Sequence, residues 1–270
     1  AEIVREEAKK AKVEVLVYTS HEVRPVIREQ SRLNSVLIEA YATSRGRKQL
    51  KGIEDISKKY GFKYRVQTLL SFGGLTSIDH PRLHETMISG PIGGILGATY
   101  VGKLIGNDSL ICSDMGGTSF DMGVITRGQT RIENEPIMDR FKLNVPTLHL
   151  DTIGAGAGMI IKVDPLTRKV SLGPESAGSV PGPICFGRGG TEPTIADCDA
   201  ILGRLNPKYF LGGKVKLDVD KALKAFKEKC ADPLGVGVEE AAEGMIGMLE
   251  TDANNALRRV ISGQGIHPSE

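Results

Sequence analysis

Apolar positions recur at three- and four-residue steps through the last part of the chain. Ala242, Met245, Ile246, Leu249, Ala253, Ala256, Leu257 and Val260 draw one apolar stripe along "VGVEEAAEGMIGMLETDANNALRRVISGQG", which predicts a long helix. "DVDKALKAFKEKCA" predicts another, and "IADCDAILGRL" a shorter one with Thr194 as its cap. At the other end, residues 1–12 are charged and alanine-bearing and read as a helix, followed by a short buried strand, "VEVLVY" (13–18). Pro25 breaks the next segment. From about Ser31, apolar Leu33, Val36, Leu37, Ala40 and Tyr41 define a helical face, and "GIEDISKKYGF" reads as a second helix closed by Gly61.

The middle of the chain changes period. "KYRVQTLLS" predicts a strand ending at the turn "FGGL" (72–75). "ISGPIGGILGATYVGKLIG" (88–106) predicts a helix starting near Pro91 with Ser89 as cap. Its glycines make it a poor helix by propensity, so Gly93, Gly94, Gly97 and Ala98 are expected to serve close approach to a sheet. "DSLICS" is then a buried strand, and "QTRIENEP" and "VPTLHLD" read as further strands. "IIKVD", "PLTRK" and "VSLG" form a hairpin. "GPESAGSVPGPICFGRGGTEPT" (173–194), with four prolines and six glycines, reads as an irregular loop. Strands mixed with helices place the chain in the α/β class, with an internal boundary expected around residues 75–90.

Composition narrows the function classes. The 35 basic and 33 acidic residues leave +2, the basic residues are scattered, and aromatics are 5% without tryptophan. That offers neither a phosphate-tracking stripe nor stacking platforms for nucleic acid. No apolar run is long enough to span a bilayer, so no membrane role is expected. Cys112, Cys185, Cys198 and Cys230 lack metal-knuckle spacing and read as free thiols of a reducing, cytoplasmic setting. The chain opens at Ala1 and stops at Glu270, and reads as an internal piece of a longer polypeptide.

The chemistry concentrates in "SDMGGTSFDMGVITRG" (113–128). Glycine-rich loops bind phosphate by letting backbone N–H groups converge on an anion. A Walker loop needs a lysine after its glycines, and a dinucleotide loop needs a following helix. Here there is no lysine, and "FDMGVITRGQTRIE" alternates about a turn at Arg127–Gly128, so the loop joins two strands. That leaves the phosphate-clasping β-hairpin of actin–hexokinase type ATPases, or a tight turn with an aspartate cap. In the first reading Gly116 and Gly117 permit backbone approach, and Thr118 and Ser119 offer hydroxyl donors. Asp114 would hold a water on Mg²⁺ or orient a nucleophile, and Asp121 would cap the turn or bind metal.

Around this loop stand "SGPIGGILGA", "LSFGGL", "DTIGAGAGM" and "GPESAGSVPGPICFGRGGTEPTIADCDAILGRLNPKYFLGG". In that order they resemble the hydantoinase A / 5-oxoprolinase family, over nearly the whole chain from "SHEVRP". "IGAGAGMIIKVD" and "PGPICFGRGG" depart from the common hydantoinase and oxoprolinase forms and are more similar to the family's acetone carboxylase branch. The resemblance implies an actin-like ATPase (ribonuclease-H-like) fold, mixed sheets with flanking helices, incomplete in this chain. Residues 1–85 would be part of an N-terminal domain and 86–270 the central ATPase domain. It implies ATP and Mg as cofactors, with Asp114 and Asp121 as catalytic residues. Gly116, Gly117, Thr118 and Ser119 would match the family's second phosphate loop. The first phosphate loop and the adenosine-contacting glycine motif are absent from these 270 residues.

In the acetone carboxylase branch the implied reaction is phosphorylation of acetone, as its enolate, and of bicarbonate, with carboxylation to acetoacetate. The implied partners are a hydantoinase B-type subunit carrying manganese and a small third subunit. Two other readings stay open: an ATP-dependent cyclic-amide hydrolase of the 5-oxoprolinase or N-methylhydantoinase kind, and a non-catalytic assembly module.

Other positions carry weaker signals. Gly154, Gly156 and Gly158 alternate in "GAGAG", and either line a substrate or phosphate path or mark a bulge or close packing. His149 and Asp151 share a strand face, as an acid/base couple or a structural pair. Glu175 and Ser176 sit in the long loop, at a functional site or an interface, and Arg188 is either an anion binder or a surface residue. His21, His80 and His84 lie in loops or near proline and are not expected as ligands.

Overall fold

The computed structural model describes residues 1–138 and 140–267. Along the chain run α1 (Glu2–Lys10), α2 (Ser20–Val23), α3 (Glu29–Lys59), β1 (Gln67–Leu69), β2 (Leu75–Ser77) and α4 (Ser89–Ile105). There follow β3 (Leu110–Met115), β4 (Phe120–Ile125), β5 (Ile132–Glu133), β6 (Ile137–Met138), β7 (Phe141–Lys142), β8 (Thr147–Leu148) and β9 (Asp151–Ile153). The chain closes with β10 (Met159–Val163), β11 (Val170–Ser176), α5 (Ile195–Ile201), α6 (Val219–Phe226), α7 (Asp232–Leu234) and α8 (Val238–Gly263). The α/β class holds. The chain divides into two compact units: Ala1–Leu110 with Ile125–Leu150, and Ile111–Val124 with Asp151–Glu270.

In the first unit, the sequence reading of α3 needs two corrections. The two expected helices are one continuous helix of 31 residues, roughly 46 Å long. Gly46 and Gly52 are carried within it, and Gly61 (φ +91°) takes the expected left-handed place after its C-terminus. Its buried face is also not the apolar one. Leu33, Leu37 and Tyr41 are more than half exposed, whereas Ser31, Ser35, Val36, Glu39 and Thr43 are buried. Burial selects that polar face because it is fully hydrogen-bonded. Glu39 Oε2 accepts from the His84 backbone N–H at 2.9 Å and pairs with His84 Nδ1 at 2.5 Å, and Thr43 Oγ1 donates to Oε1. Ser35 Oγ accepts from the Asn144 N–H at 2.9 Å. Burial pushes the Glu39 carboxyl up, but the His84 and Thr43 hydrogen bonds outweigh it and hold it down at about 2.

Glu85 is hydrogen-bonded to Arg24 (2.8 Å) and His80 (2.9 Å) and ion-paired with Arg82 (3.0 Å). "VEVLVY" forms no strand, and Val13, Val15 and Leu16 are exposed. Helix α4 forms as expected, but Ile88 rather than Ser89 is its N-cap. Close approach falls on Gly102, where a Cβ would lie 2.5 Å from Leu110 Cδ1 and 2.6 Å from Asn107 O. At Gly94 and Gly97 it would meet nothing within 4 Å.

The second unit is built on the three-stranded sheet β3–β4–β9 and the hairpin β10–β11. Phe120, Met122, Val124, Met159 and Ile161 from these strands pack with Ile195, Cys198, Phe226 and the α8 stripe in one core. The stripe is the one the periodicity names: Ala242, Met245, Ile246, Leu249, Ala256 and Val260 are buried. Thr194 caps α5 in a capping box with Asp197. The expected hairpin closes at Asp164, whose Oδ1 accepts the Leu166 and Thr167 N–H groups at 2.9 Å. Strand β11 runs on through Ser176, so the first four residues of the expected 173–194 loop are strand.

Candidate functional site

The loop at residues 116–119 is the tip of the β3–β4 hairpin. It is closed by the Gly116 N–H donating to Ser119 O at 2.9 Å. The next turn along, at Arg127 (φ +51°) and Gly128 (φ +70°), has the two left-handed residues of a tight hairpin connection. Both features follow the sequence reading, with strand on each side and no helix after the glycines.

The second glycine string lies directly behind the first. Ala157 N–H donates to Gly116 O at 3.0 Å, and Gly158 N–H donates to Gly117 O at 2.8 Å. A Cβ on Gly156 would lie 2.7 Å from Gly116 O and 2.8 Å from Thr118 N; one on Gly158 would lie 2.7 Å from Gly117 O. These two positions are glycine because backbone stacks on backbone there. Gly154 differs: a Cβ there meets nothing within 4 Å. It opens instead onto a cleft of about 380 Å³ shared with Met159, Leu172, Asn255 and Arg259.

This backing orients the loop. In a trans peptide the C=O and N–H point to opposite sides. The carbonyls of Gly116 and Gly117 are turned back onto Ala157 and Gly158, so the N–H groups of Gly117 and Thr118 are turned forward. Neither these two nor the Ser119 N–H donates to a group among the described residues. Asp114, Gly116, Gly117 and Thr118 are exposed at this tip. The result is a cluster of forward-facing donors without a basic side chain, the arrangement that suits a phosphate oxygen.

The two aspartates differ in surroundings. Asp121 Oδ1 accepts from Thr152 Oγ1 at 2.6 Å, and Ser119 Oγ lies 3.5 Å from Oδ2. Register explains this, since Asp121 stands opposite Thr152 in the β4–β9 pair. Asp114, near the end of β3, is exposed. A lone exposed carboxylate fits a Mg²⁺ ion that keeps most of its water ligands. Burial, and then the Asp114 charge, push the Cys112 thiol up. Among the described residues, no group of three or more His, Cys, Asp or Glu is placed to hold a metal ion.

The His149 backbone N–H donates to Arg131 O at 2.7 Å, and Asp151 opens β9 opposite Met122. Glu175 pairs with Lys162 at 2.7 Å on the surface. Arg188 is exposed between Gly187 and Gly189, both left-handed. Sequence reasoning missed Asp197. This fully buried carboxylate accepts from the N–H groups of Cys185 (2.7 Å), Ile184 (3.3 Å) and Thr194 (2.9 Å), and so folds the loop from 182 to 194 onto the start of α5. The one signal was its place three residues after the capping threonine. The cysteines are free, as expected, and burial pushes the Cys185 and Cys198 thiols up and that of Cys230 up to about 12. No helix among the described residues is long and apolar enough to cross a membrane.

Residues 32–270 match the hydantoinase/oxoprolinase family. The chain belongs to that family. It is 43% identical over 269 residues to the acetone carboxylase beta subunit of Xanthobacter autotrophicus, covering 99% of this chain and 37% of that protein. It is 34% identical to the caprolactamase subunit alpha of Pseudomonas jessenii, over 95% of this chain and 37% of the relative. Among solved structures, a nucleotide-free acetone carboxylase described in terms of ATP-dependent acetone carboxylation superposes with a TM-score of 0.89 at 42% identity. That match covers 99% of this chain and 38% of the other. The ATP-dependent caprolactamase of Pseudomonas jessenii superposes at 0.73 with 34% identity, over 94% of this chain and 37% of its own. The chain thus spans somewhat over a third of the length of these relatives.

Proposed function

We propose that this chain is part of an ATP-dependent carboxylase subunit with an actin-like ATPase fold. It would phosphorylate a small acetone-like ketone and bicarbonate, leading to a 3-oxo acid such as acetoacetate. The observation that carries the ATP site is the backed hairpin: Gly116 and Gly117 carbonyls pinned behind, Gly117 and Thr118 N–H groups turned forward. The choice of ketone rests on the 43% identity to an acetone carboxylase subunit.

ATP supplies the phosphoryl group. The N–H groups of Gly117 and Thr118, with the Thr118 and Ser119 hydroxyls, bind phosphate oxygens and offset their growing charge. Asp114 would orient a nucleophile, or would hold a water on a bound Mg²⁺ ion that neutralises phosphate charge. Asp121 accepts from the Thr152 hydroxyl and so fixes β9 beside the loop. Residues 1–85 and 86–270 are assigned to the N-terminal and central ATPase domains. The partners are a hydantoinase B-type subunit holding manganese and a small third subunit, in the cytoplasm.

The test uses the full-length protein with its partner subunits. Acetone and bicarbonate should stimulate phosphate release from ATP, and Asp114→Ala should abolish it; unchanged turnover in that variant overturns the assignment. A cyclic-amide hydrolase is the second reading, favoured by the 34% identity to a caprolactamase subunit. Stimulation by 5-oxoproline or caprolactam, and not by acetone, would select it. No nucleotide effect on the assembled complex would leave an assembly role.

A further inference from the structure

The carbonyl of Gly117 accepts twice. One bond comes from the Gly158 N–H at 2.8 Å, and the other from the Ser176 hydroxyl at 3.3 Å. Ser176 is the last residue of β11 and lies far from the loop in sequence. Its oxygen in turn accepts the Gly178 N–H at 3.2 Å, which fixes the direction of its proton. The Ala177 N–H, donating to Gly158 O at 2.9 Å, holds the strand end in place. There is no slack at this spot, since a Cβ on Gly158 would lie 2.9 Å from Ser176 Oγ.

We propose that Ser176 is a positioning residue for phosphoryl transfer, acting through the 117–118 peptide. This rests on the phosphate-loop reading above. Both lone pairs of the Gly117 carbonyl are engaged, and the N–H of the same peptide is that of Thr118. Hydrogen bonds to a carbonyl polarise its amide, which strengthens the N–H on the opposite side as a donor. Ser176 therefore does two things: it holds the peptide plane so that the Thr118 N–H faces forward, and it raises that group's pull on a phosphate oxygen. The effect is largest where negative charge on the transferred group is greatest, so it falls on kcat more than on nucleotide binding. Gly116 provides the internal contrast, because among the described residues its carbonyl accepts only from Ala157. None of this is visible in the linear sequence, where Ser176 stands 59 residues beyond Gly117.

The experiment compares wild type, Ser176→Ala and Ser176→Thr in the full-length complex, by phosphate release under saturating acceptor and by inhibition with orthovanadate as a phosphoryl-transfer mimic. Loss of one hydrogen bond of ordinary strength corresponds to a fall in kcat of roughly 3- to 10-fold. Ser176→Ala should show that fall, a matching rise in the vanadate inhibition constant, and a KM for ATP changed less than about 2-fold. Ser176→Thr, which keeps the hydroxyl, should recover most of the activity. Wild-type kinetics in Ser176→Ala would overturn the proposal. So would equal damage from both variants with unaltered vanadate inhibition, which would mark a packing role. If the wild-type complex itself releases no phosphate from ATP with any acceptor, the phosphate-loop reading fails rather than this one.

Discussion

Gly156→Ala tests the backing of the loop most directly. The added methyl would lie 2.7 Å from Gly116 O, 2.7 Å from Gly117 C and 2.8 Å from Thr118 N, all backbone atoms. Relaxing 2.7 Å to an ordinary contact of about 3.4 Å needs a displacement of about 0.7 Å, and neither side can supply it by turning a side chain. Ala155 and Ala157 flank the site, and the Ala157 carbonyl is held by the Ala196 N–H at 2.7 Å, so the shift falls on the loop. Overpacking of this kind costs about 1–3 kcal/mol, which lowers Tm. A displacement near 1 Å in a catalytic loop costs on the order of 100-fold in rate. The assay is calorimetry and ATP-dependent phosphate release on the full-length complex, with Gly154→Ala as control. A Cβ at Gly154 meets nothing within 4 Å, so that variant should melt and turn over like wild type. Gly156→Ala with wild-type turnover, or the two variants equally impaired, would refute the reasoning.

Three further outcomes follow from the geometry. The Glu39 carboxyl is held down at about 2 from an ordinary 4.5, so its contribution is whole above about pH 4.5 and is lost as pH falls toward 2. It is on the order of 3 kcal/mol, and urea unfolding at stepped pH should show a flatter acid slope in Glu39→Gln. Asp197→Ala strands the buried N–H groups of Cys185, Ile184 and Thr194, and should destabilise the second unit by about 3 kcal/mol or more in denaturant unfolding. Gly102→Ala should destabilise by about 1–3 kcal/mol, because its Cβ meets Asn107 O at 2.6 Å, while Gly94→Ala should be neutral or stabilising in the same melting assay.

Much of the second unit was legible along the chain. The α8 stripe, the Thr194 cap and the 164–169 hairpin depend on local periodicity and turn chemistry, and all stand where the pattern puts them, as does the Arg127–Gly128 turn of the first unit. The hairpin setting of "DMGGTS" was legible for the same reason. The first unit was harder to read. A helix face is chosen by what it packs against, and α3 buries Glu39 because His84, 45 residues away, supplies its hydrogen bonds. "VEVLVY" has strand propensity, but a strand needs a partner, and none pairs with it among the described residues.

The sequence by itself determined which loop is the candidate phosphate site, because glycines, hydroxyls and aspartates at that spacing between two strands leave few architectures. Only the tertiary structure decided what each glycine is for. Gly156 and Gly158 underlie the 116–119 loop, and Gly154, two residues before Gly156, faces a cleft. Which peptide N–H points forward also depends on what holds its carbonyl behind, here Ala157, Gly158 and Ser176. Those partners are brought up by strand pairing and hydrogen bonds between distant segments, which no local pattern encodes.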